Sequence, residues 1–187
     1  MAGTNSAGIG FEMDANDMTL YHGSSVIVET PELRRSVRAL DFGRGFYTAT
    51  NEDQAAQFAR KIYERKIREG AENPGCFVSS YRIDYDTMQK QLSILMFDMP
   101  NEEWLDFVMA NRSGKYTGKN YDIIYGPVAN DTVYRTLVAY ETGIYTKKQI
   151  IEQLAVRKLF NQMTFTSEKS LSFLHFTSYR EAAPWKN

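Results

Sequence analysis

Residues 18–25 read MTLYHGSS, and residues 41–48 read DFGRGFYT. The first segment predicts a short strand that ends at Gly23, with Leu20 and His22 on one face because strand side chains alternate. Gly23 has no Cβ, so its backbone N–H and C=O can approach a flat ligand closely. This segment and the one that follows it are the features from which the fold and the site are predicted.

The second segment combines two glycines with two aromatic residues. Gly43 and Gly45 predict a sharp turn that leads into a strand. Phe46 and Tyr47 begin that strand with their side chains on opposite faces, so we expect one of them in the core and the other in a pocket. A core position is the alternative interpretation of Tyr47.

The ordered pair of segments resembles the nicotinamide pocket of the diphtheria-toxin and poly(ADP-ribose) polymerase branch of ADP-ribosyltransferases, whose motif is written H-Y-E. It is also similar to a bacterial family of uncharacterised domains near that branch, over about residues 18–176. The resemblance implies that His22 contacts the adenosine-side ribose, that Gly23 pairs with the nicotinamide carboxamide and that Tyr47 stacks on nicotinamide. It therefore predicts an α+β fold with an ADP-ribosyltransferase-like split β-sheet core, packed helices and one cleft around these residues.

The third position of the motif departs from the family pattern. The matching strand start reads FNQMTF at residues 160–165, where Gln162 is the best counterpart of the family glutamate. Glutamine can bond to a ribose hydroxyl but brings no negative charge. A charge-assisted hydrogen bond is roughly twice as strong as a neutral one, which nets about 1 kcal/mol, so the exchange costs on the order of tenfold in rate. The alternative is an amide that satisfies strand-end backbone groups.

Four further residues are candidates for binding the cofactor. Ser24 and Arg44 are placed to meet a ribose or a pyrophosphate, although a loop arginine is also expected to be solvated. Asn130 and Asp131 follow a short strand, from which side chains often enter a cleft. Capping of the next helix explains both residues almost as well.

The order of apolar and turn residues predicts an α+β sheet packed by helices. Expected helices cover residues 51–69, begin at residue 100, run up to residue 140 and cover residues 147–157. Expected strands cover residues 76–83, 121–125, 159–165 and 173–178, the second of them central in the sheet. The first helix carries its apolar residues at helical spacing: Ala55, Phe58, Ala59, Ile62, Tyr63 and Ile67. The second is expected to face inward through Trp104, Leu105, Phe107 and Val108.

Length and composition predict one domain. The chain has 187 residues, of which 43% are hydrophobic, enough to bury one core. Residues 1–17 are small and polar, so we expect a loose leader or a cloning remnant there and a single domain over residues 18–187. The net charge is −1, which favours neither nucleic acid nor an anionic membrane as a partner.

Cysteine and histidine usage limits the chemistry of the chain. Cys76 is the only cysteine, which excludes an intramolecular disulfide and favours a reducing compartment. With two histidines and one cysteine, metal chemistry has little to work with, and we expect no metal. No apolar run approaches the length of a membrane span, so a cytoplasmic protein without a membrane anchor is expected.

The resemblance implies an NAD-dependent mono-ADP-ribosyltransferase or NAD-cleaving enzyme. NAD would be the substrate, and the acceptor would be an unidentified protein or other macromolecule. Elongation into polymer is disfavoured because it is associated with a glutamate at the third position. The alternative, which Gln162 favours, is a catalytically inactive NAD- or nucleotide-binding or protein-interaction module. A small bacterial toxin that acts on another macromolecule is a third interpretation.

Overall fold

The computed structural model describes residues 18–33, 40–127, 131–155 and 159–183. The predicted leader at residues 1–17 therefore lies outside the described residues. The strands are β1 (Met18–Ser24), β2 (Phe46–Ala49), β3 (Phe77–Ile83), β4 (Ile94–Met96), β5 (Ile123–Pro127), β6 (Asn161–Phe165) and β7 (His175–Glu181). The helices are α1 (Glu52–Arg68), α2 (Tyr85–Gln91), α3 (Glu102–Arg112), α4 (Asp131–Glu141), α5 (Lys147–Ala155) and α6 (Glu168–Leu171). The predicted α+β class is confirmed.

The strands form one seven-stranded mixed sheet in the order β4-β5-β6-β2-β1-β3-β7. Only the β4–β5 pair is parallel within the described part of the chain. β1 pairs with β3 along its whole length, whereas β1 pairs with β2 through a single register pair, Tyr21 and Ala49. The sheet thus has two well-paired parts that meet at a narrow junction. We call this junction the β1–β2 seam, formed by residues 21–24 of β1 and 46–49 of β2.

The two faces of the sheet are named after consecutive residues of β2. The Phe46 face carries Leu20, His22, Phe46, Thr48, Met163 and Phe165. Buried side chains of α2 and α6 pack on this face. The Tyr47 face carries Tyr21, Gly23, Tyr47, Ala49, Gln162 and Thr164. Helix α1 covers part of the Tyr47 face, and the buried side chains of α3, α4 and α5 form a second core beside it.

The boundaries of α1 follow from its terminal residues. Asn51 accepts a hydrogen bond from the backbone N–H of Gln54 at 3.0 Å, which caps the first turn. Gly70, two residues after the last helical residue, has a φ of +86°, a conformation that favours glycine and ends the helix. The predicted helix at residues 51–69 is therefore confirmed to within one residue at each end.

The face that α1 buries differs from the expectation. Its buried residues are Ala55, Ala56 and Ala59, while Phe58 and Ile67 are 55% and 44% exposed. Gly23 explains the difference, because a Cβ on it would lie 1.9 Å from the carbonyl oxygen of Ala55. The helix axis lies so close to β1 that only alanine side chains fit between them. Phe58 and Ile67 thus share the helical spacing of the apolar residues but are exposed.

The remaining elements follow the predicted order with three additions. All four residues expected to face inward from α3 are buried. The predicted strand at residues 121–125 is β5, which lies next to the edge strand β4 and is not central. The short elements α2, β4 and α6 were not predicted, and β4 is the strand that forms the edge beside β5. Within the described residues, no helix combines the length and the apolar character needed to cross a bilayer.

Candidate functional site

The two segments that carry the motif meet at the β1–β2 seam. His22 Nδ1 lies 2.8 Å from the main-chain carbonyl oxygen of Tyr47. Because a carbonyl oxygen only accepts, Nδ1 must carry the proton, which makes Nε2 the acceptor nitrogen of the neutral ring. The imidazole also packs against the Phe46 ring, with centroids 4.4 Å apart and planes inclined by 30°. The tautomer and the ring orientation of His22 are therefore both fixed by β2.

The Tyr47 side chain lies on the face of the sheet opposite the His22 ring. Tyr47 Oη donates a hydrogen bond to the carbonyl oxygen of Gly43 at 2.6 Å and accepts one from the backbone N–H of Phe42 at 3.2 Å. Burial raises the pKa of the Tyr47 phenol far above its usual range, so the hydroxyl stays protonated as a donor. The two motif side chains thus do not line a single cleft. The contact between the two residues joins the His22 ring to the main chain of Tyr47.

Tyr47 instead fixes the glycine turn that precedes β2. Gly43 has a φ of +74°, in the left-handed region that L side chains rarely adopt. The backbone N–H of Gly43 donates to the carbonyl oxygen of Leu40 at 3.0 Å. The turn is therefore held from both ends, by its own backbone and by the tyrosine hydroxyl.

Gly23 and Ser24 have local structural roles in this arrangement. The close approach that glycine permits at position 23 is taken up by α1 on the Tyr47 face. Ser24 Oγ donates to the carbonyl oxygen of Val26 at 2.5 Å and accepts from the Val26 N–H at 3.1 Å. The serine hydroxyl thus closes the turn that follows β1.

Gln162 is a buried amide with small neighbours. It is 7% exposed, and its register partners are Ala49 on β2 and Gly126 on β5. No hydrogen bond joins its side chain to any of the described residues. Both neighbours are small, and Phe97 and Phe42 fill the space over Gly126: a Cβ on this glycine would lie 3.0 Å from Phe97 Cβ and 3.3 Å from Phe42 Cζ.

Two polar atoms on the Tyr47 side are buried without a partner among the described residues: Thr164 Oγ1 and Gln54 Oε1. Thr164 lies directly opposite Tyr47 in the sheet and two positions from Gln162 on the same face. A buried polar group without a hydrogen bond costs about 1–3 kcal/mol, and such groups in folded proteins call for an explanation. A ligand that supplies the missing partners is the functional explanation for this group.

The other predicted residues are dispersed. Arg44 is exposed, and its guanidinium donates to the carbonyl oxygen of Leu33 at 2.8 Å. Asp131 is the first residue of α4, but its side chain, like the whole of Asn130, lies outside the described residues. Among residues 18–33, 40–127, 131–155 and 159–183, no cluster of histidine, cysteine or carboxylate side chains is placed to hold a metal ion.

A separate cleft of about 400 Å³ opens beside the glycine turn. It lies between residues 42–44, the C-terminal half of α3, the loop at residues 116–122 and the chain that follows β6. We call it the Lys119 cleft, after the lysine in its wall. Of the predicted site residues it contains Arg44 alone. The alternation of tyrosine and lysine in residues 115–121 is the sequence signal that could have indicated it.

A comparison with known protein families identifies the family of this chain. A family model described as a protein of unknown function (DUF3990) matches residues 18–176, which is most of the chain. The chain therefore belongs to this family. No curated protein and no solved structure matched it. The matched region contains the seam, Gln162 and the Lys119 cleft.

Proposed function

We propose that this member of the DUF3990 family binds NAD at the β1–β2 seam and cleaves the bond between nicotinamide and ribose. It would act as a mono-ADP-ribosyltransferase or as an NAD-cleaving enzyme. One observation carries the proposal: His22 Nδ1 is hydrogen-bonded at the seam to the main chain of Tyr47, 25 positions away, and the buried Gln162 lies on β6, next to β2. The three residues keep the order that the resemblance to H-Y-E enzymes implies, with the ADP-ribosyltransferase-like split sheet as the proposed fold.

The seam is the most sparsely paired junction of the described sheet. β1 and β2 share one register pair, whereas β1 pairs with β3 through seven and β2 pairs with β6 through four. The ligand would lie along this junction, where the His22 ring is on the Phe46 face and the Gln162 side chain is on the Tyr47 face.

The reaction makes few demands on proton transfer. When the bond between the ribose C1′ and the nicotinamide nitrogen breaks, the electron pair stays on that nitrogen and neutralises the pyridinium. Nicotinamide leaves as a neutral molecule, and the acceptor or water bonds to C1′. The protein must orient the ribose and stabilise an oxocarbenium-like transition state.

Gln162 would contribute a hydrogen bond to a ribose hydroxyl. Its buried amide has an acceptor oxygen and a donor nitrogen, and the described residues occupy neither. Because the amide carries no formal charge, it stabilises the ribosyl cation less than a carboxylate would. Slow NAD hydrolysis, or slow transfer of single ADP-ribose units, is the activity that fits this residue.

A catalytically inactive NAD- or nucleotide-binding or protein-interaction module is the second candidate. Two observations favour it. Gln162 lacks the charge of the family glutamate, and the Tyr47 hydroxyl is engaged by the turn at Gly43. In this function the seam would bind the ligand without cleaving it.

The test is nicotinamide release at saturating NAD by the wild type, Gln162→Ala and Gln162→Glu. Gln57→Ala, a change at an exposed glutamine of α1, is the matched control. We expect Gln162→Ala to slow release about tenfold with little change in NAD affinity, because the bond acts in the transition state. Gln162→Glu should preserve or raise the rate, and the control should match the wild type.

Thermal unfolding with and without NAD separates the two candidates. A ligand held at about a hundred times its dissociation constant stabilises the folded state by about 2.7 kcal/mol. If NAD stabilises the protein but no nicotinamide is released, the proposed enzymatic function is wrong and the protein is a binding module. Neither stabilisation nor release would overturn both candidates.

A further inference from the structure

The Lys119 cleft has the size and the mixed walls of a binding site. Its volume of about 400 Å³ lies within the range of about 300–1,000 Å³ that is typical of ligand pockets. Tyr116 and Tyr121 supply aromatic surface, and the Tyr116 ring meets Phe107 edge-on at 4.8 Å between centroids. The cleft therefore offers flat apolar walls beside its polar groups.

Two cations border the cleft without a carboxylate partner. The described residues place no carboxylate within ion-pair distance of either Lys119 or Arg44. The Lys119 ammonium lies 5.1 Å from the centroid of the Tyr121 ring, a cation–π contact that holds it at the wall. One guanidinium nitrogen of Arg44 donates a hydrogen bond to the carbonyl oxygen of Leu33. The other N–H groups of the guanidinium can donate to a ligand.

The acidic group in the cleft is held in its ionised form by hydrogen bonds. The Asp122 carboxylate accepts bonds from the backbone N–H and the hydroxyl of Ser93, each at 2.9 Å, and from the Ser167 hydroxyl at 2.7 Å. These hydrogen bonds, that of Ser167 first, hold the pKa of Asp122 below its usual range. Asp122 therefore keeps its negative charge, and with Arg44 and Lys119 the charged side chains that line the cleft sum to +1.

The glycine turn does not offer the backbone donors that phosphate sites use. Phosphate loops present a series of free N–H groups to the ligand. In this turn the Phe42 N–H is bonded to Tyr47 Oη and the Gly43 N–H to the Leu40 carbonyl. These two N–H groups are therefore not free for an anion, and an anion in the cleft would be bound by the Lys119 and Arg44 side chains.

We propose that the Lys119 cleft binds an acidic segment of a partner protein. Glutamate or aspartate carboxylates of the segment pair with Lys119 and Arg44, and its apolar atoms pack on Tyr116 and Tyr121. The partner is held beside the glycine turn that Tyr47 fixes. This inference does not depend on NAD, so its test is made in the absence of NAD.

The test uses a fluorescein-labelled glutamate-rich peptide and its glutamine-substituted counterpart, with binding followed by fluorescence anisotropy. Wild type should bind the glutamate peptide, more weakly as salt is raised, and should bind the glutamine peptide at least about tenfold more weakly. Lys119→Gln should weaken binding of the glutamate peptide about three- to tenfold. Lys148→Gln is the matched control, since the Lys148 side chain is 86% exposed on α5, and its affinity should stay within about twofold of wild type.

Several outcomes would overturn the proposal. Equal binding of the two peptides would show that the carboxylates of the peptide do not contribute to binding. Unchanged affinity of Lys119→Gln would show that the peptide does not bind in the Lys119 cleft. Displacement of the peptide by inorganic pyrophosphate at a lower concentration than by unlabelled glutamate peptide would make the cleft a phosphate site. The unfolding temperature of each variant is measured alongside, and a second variant, Arg44→Gln, should show a loss of the same direction.

Discussion

On the Phe46 face of the sheet, buried polar groups have partners. Thr48 Oγ1 donates to the Met163 carbonyl at 2.7 Å, and Asn161 Nδ2 donates to Tyr125 Oη at 2.9 Å. On the Tyr47 face, Thr164 Oγ1 is buried without a partner among the described residues, and Thr164 is 0% exposed. Strand β6 therefore carries the hydrogen-bonded Asn161 on one face and the unpartnered Thr164 hydroxyl on the other.

The difference separates scaffold from site. Unpaired buried groups cost about 1–3 kcal/mol each, so a fold without another use for them would be more stable with apolar side chains. Departures from local consistency are expected where a protein performs its function. Apart from His22 at the seam, the Phe46 face is thus the structural side of the sheet, and the Tyr47 face near Thr164 is the side on which an unpaired group remains for a ligand.

The largest effect should come from the core of the Phe46 face. Phe165 is 0% exposed and packs in this core, so Phe165→Ala should lower the free energy of unfolding by about 3–5 kcal/mol. Phe58→Ala removes the same side chain where it is 55% exposed and should change stability by less than about 0.5 kcal/mol. Urea denaturation followed by circular dichroism measures both values. Similar losses for the two variants would mean that the Phe46 face is not the main support of the sheet.

A smaller effect is expected at the tyrosine hydroxyl that holds the glycine turn. Tyr47→Phe removes the bonds to Gly43 and Phe42, so it should cost about 1–2 kcal/mol. Tyr179→Phe, at a residue that is 52% exposed on β7, is the control and should be nearly neutral. The measurement is again the free energy of unfolding, with the stabilisation by NAD recorded for each variant. A neutral Tyr47→Phe that abolished the effect of NAD would place the hydroxyl in the ligand site and not in the turn.

Local signals explain how much of the fold was predictable. The cap at Asn51 and the glycine at position 70 determine α1 to within one residue at each end, because both act within a few residues of the chain. The inward face of α1 was not predictable in the same way, since it depends on Gly23, which lies far from the helix in sequence. The short β4 was missed because three residues carry too little periodicity to distinguish a strand from a loop.

The candidate site was predictable in its main chain and not in its side chains. Alternation along β2 correctly separates Phe46 from Tyr47. Which of the two shares a face with His22 depends on how β1 and β2 are aligned, and a one-residue shift in that register reverses the answer. The sequence therefore indicates that His22 and Tyr47 meet, while the opposite placement of their rings follows only from the strand pairing.

The smallest effects come from two threonines that test the comparison most directly. Thr48 and Thr164 are 3% and 0% exposed in neighbouring strands, and they lie on opposite faces. Replacement by valine keeps the shape of each side chain and removes the hydroxyl. We expect Thr48→Val to destabilise by about 1 kcal/mol because it loses the bond to Met163, and Thr164→Val to stabilise by about 1 kcal/mol because it removes an unpaired group.

Each threonine variant serves as the control for the other, since burial, strand environment and chemical change are matched and only the partner of the hydroxyl differs. The free energies of unfolding should therefore change with opposite signs. If both substitutions destabilise equally, the Thr164 hydroxyl has a partner in the folded protein, and the contrast between the two faces is lost at that position. If Thr164→Val stabilises the free protein but reduces its stabilisation by NAD, the unpaired hydroxyl belongs to the ligand site, because the same group then costs stability alone and gains a partner on binding.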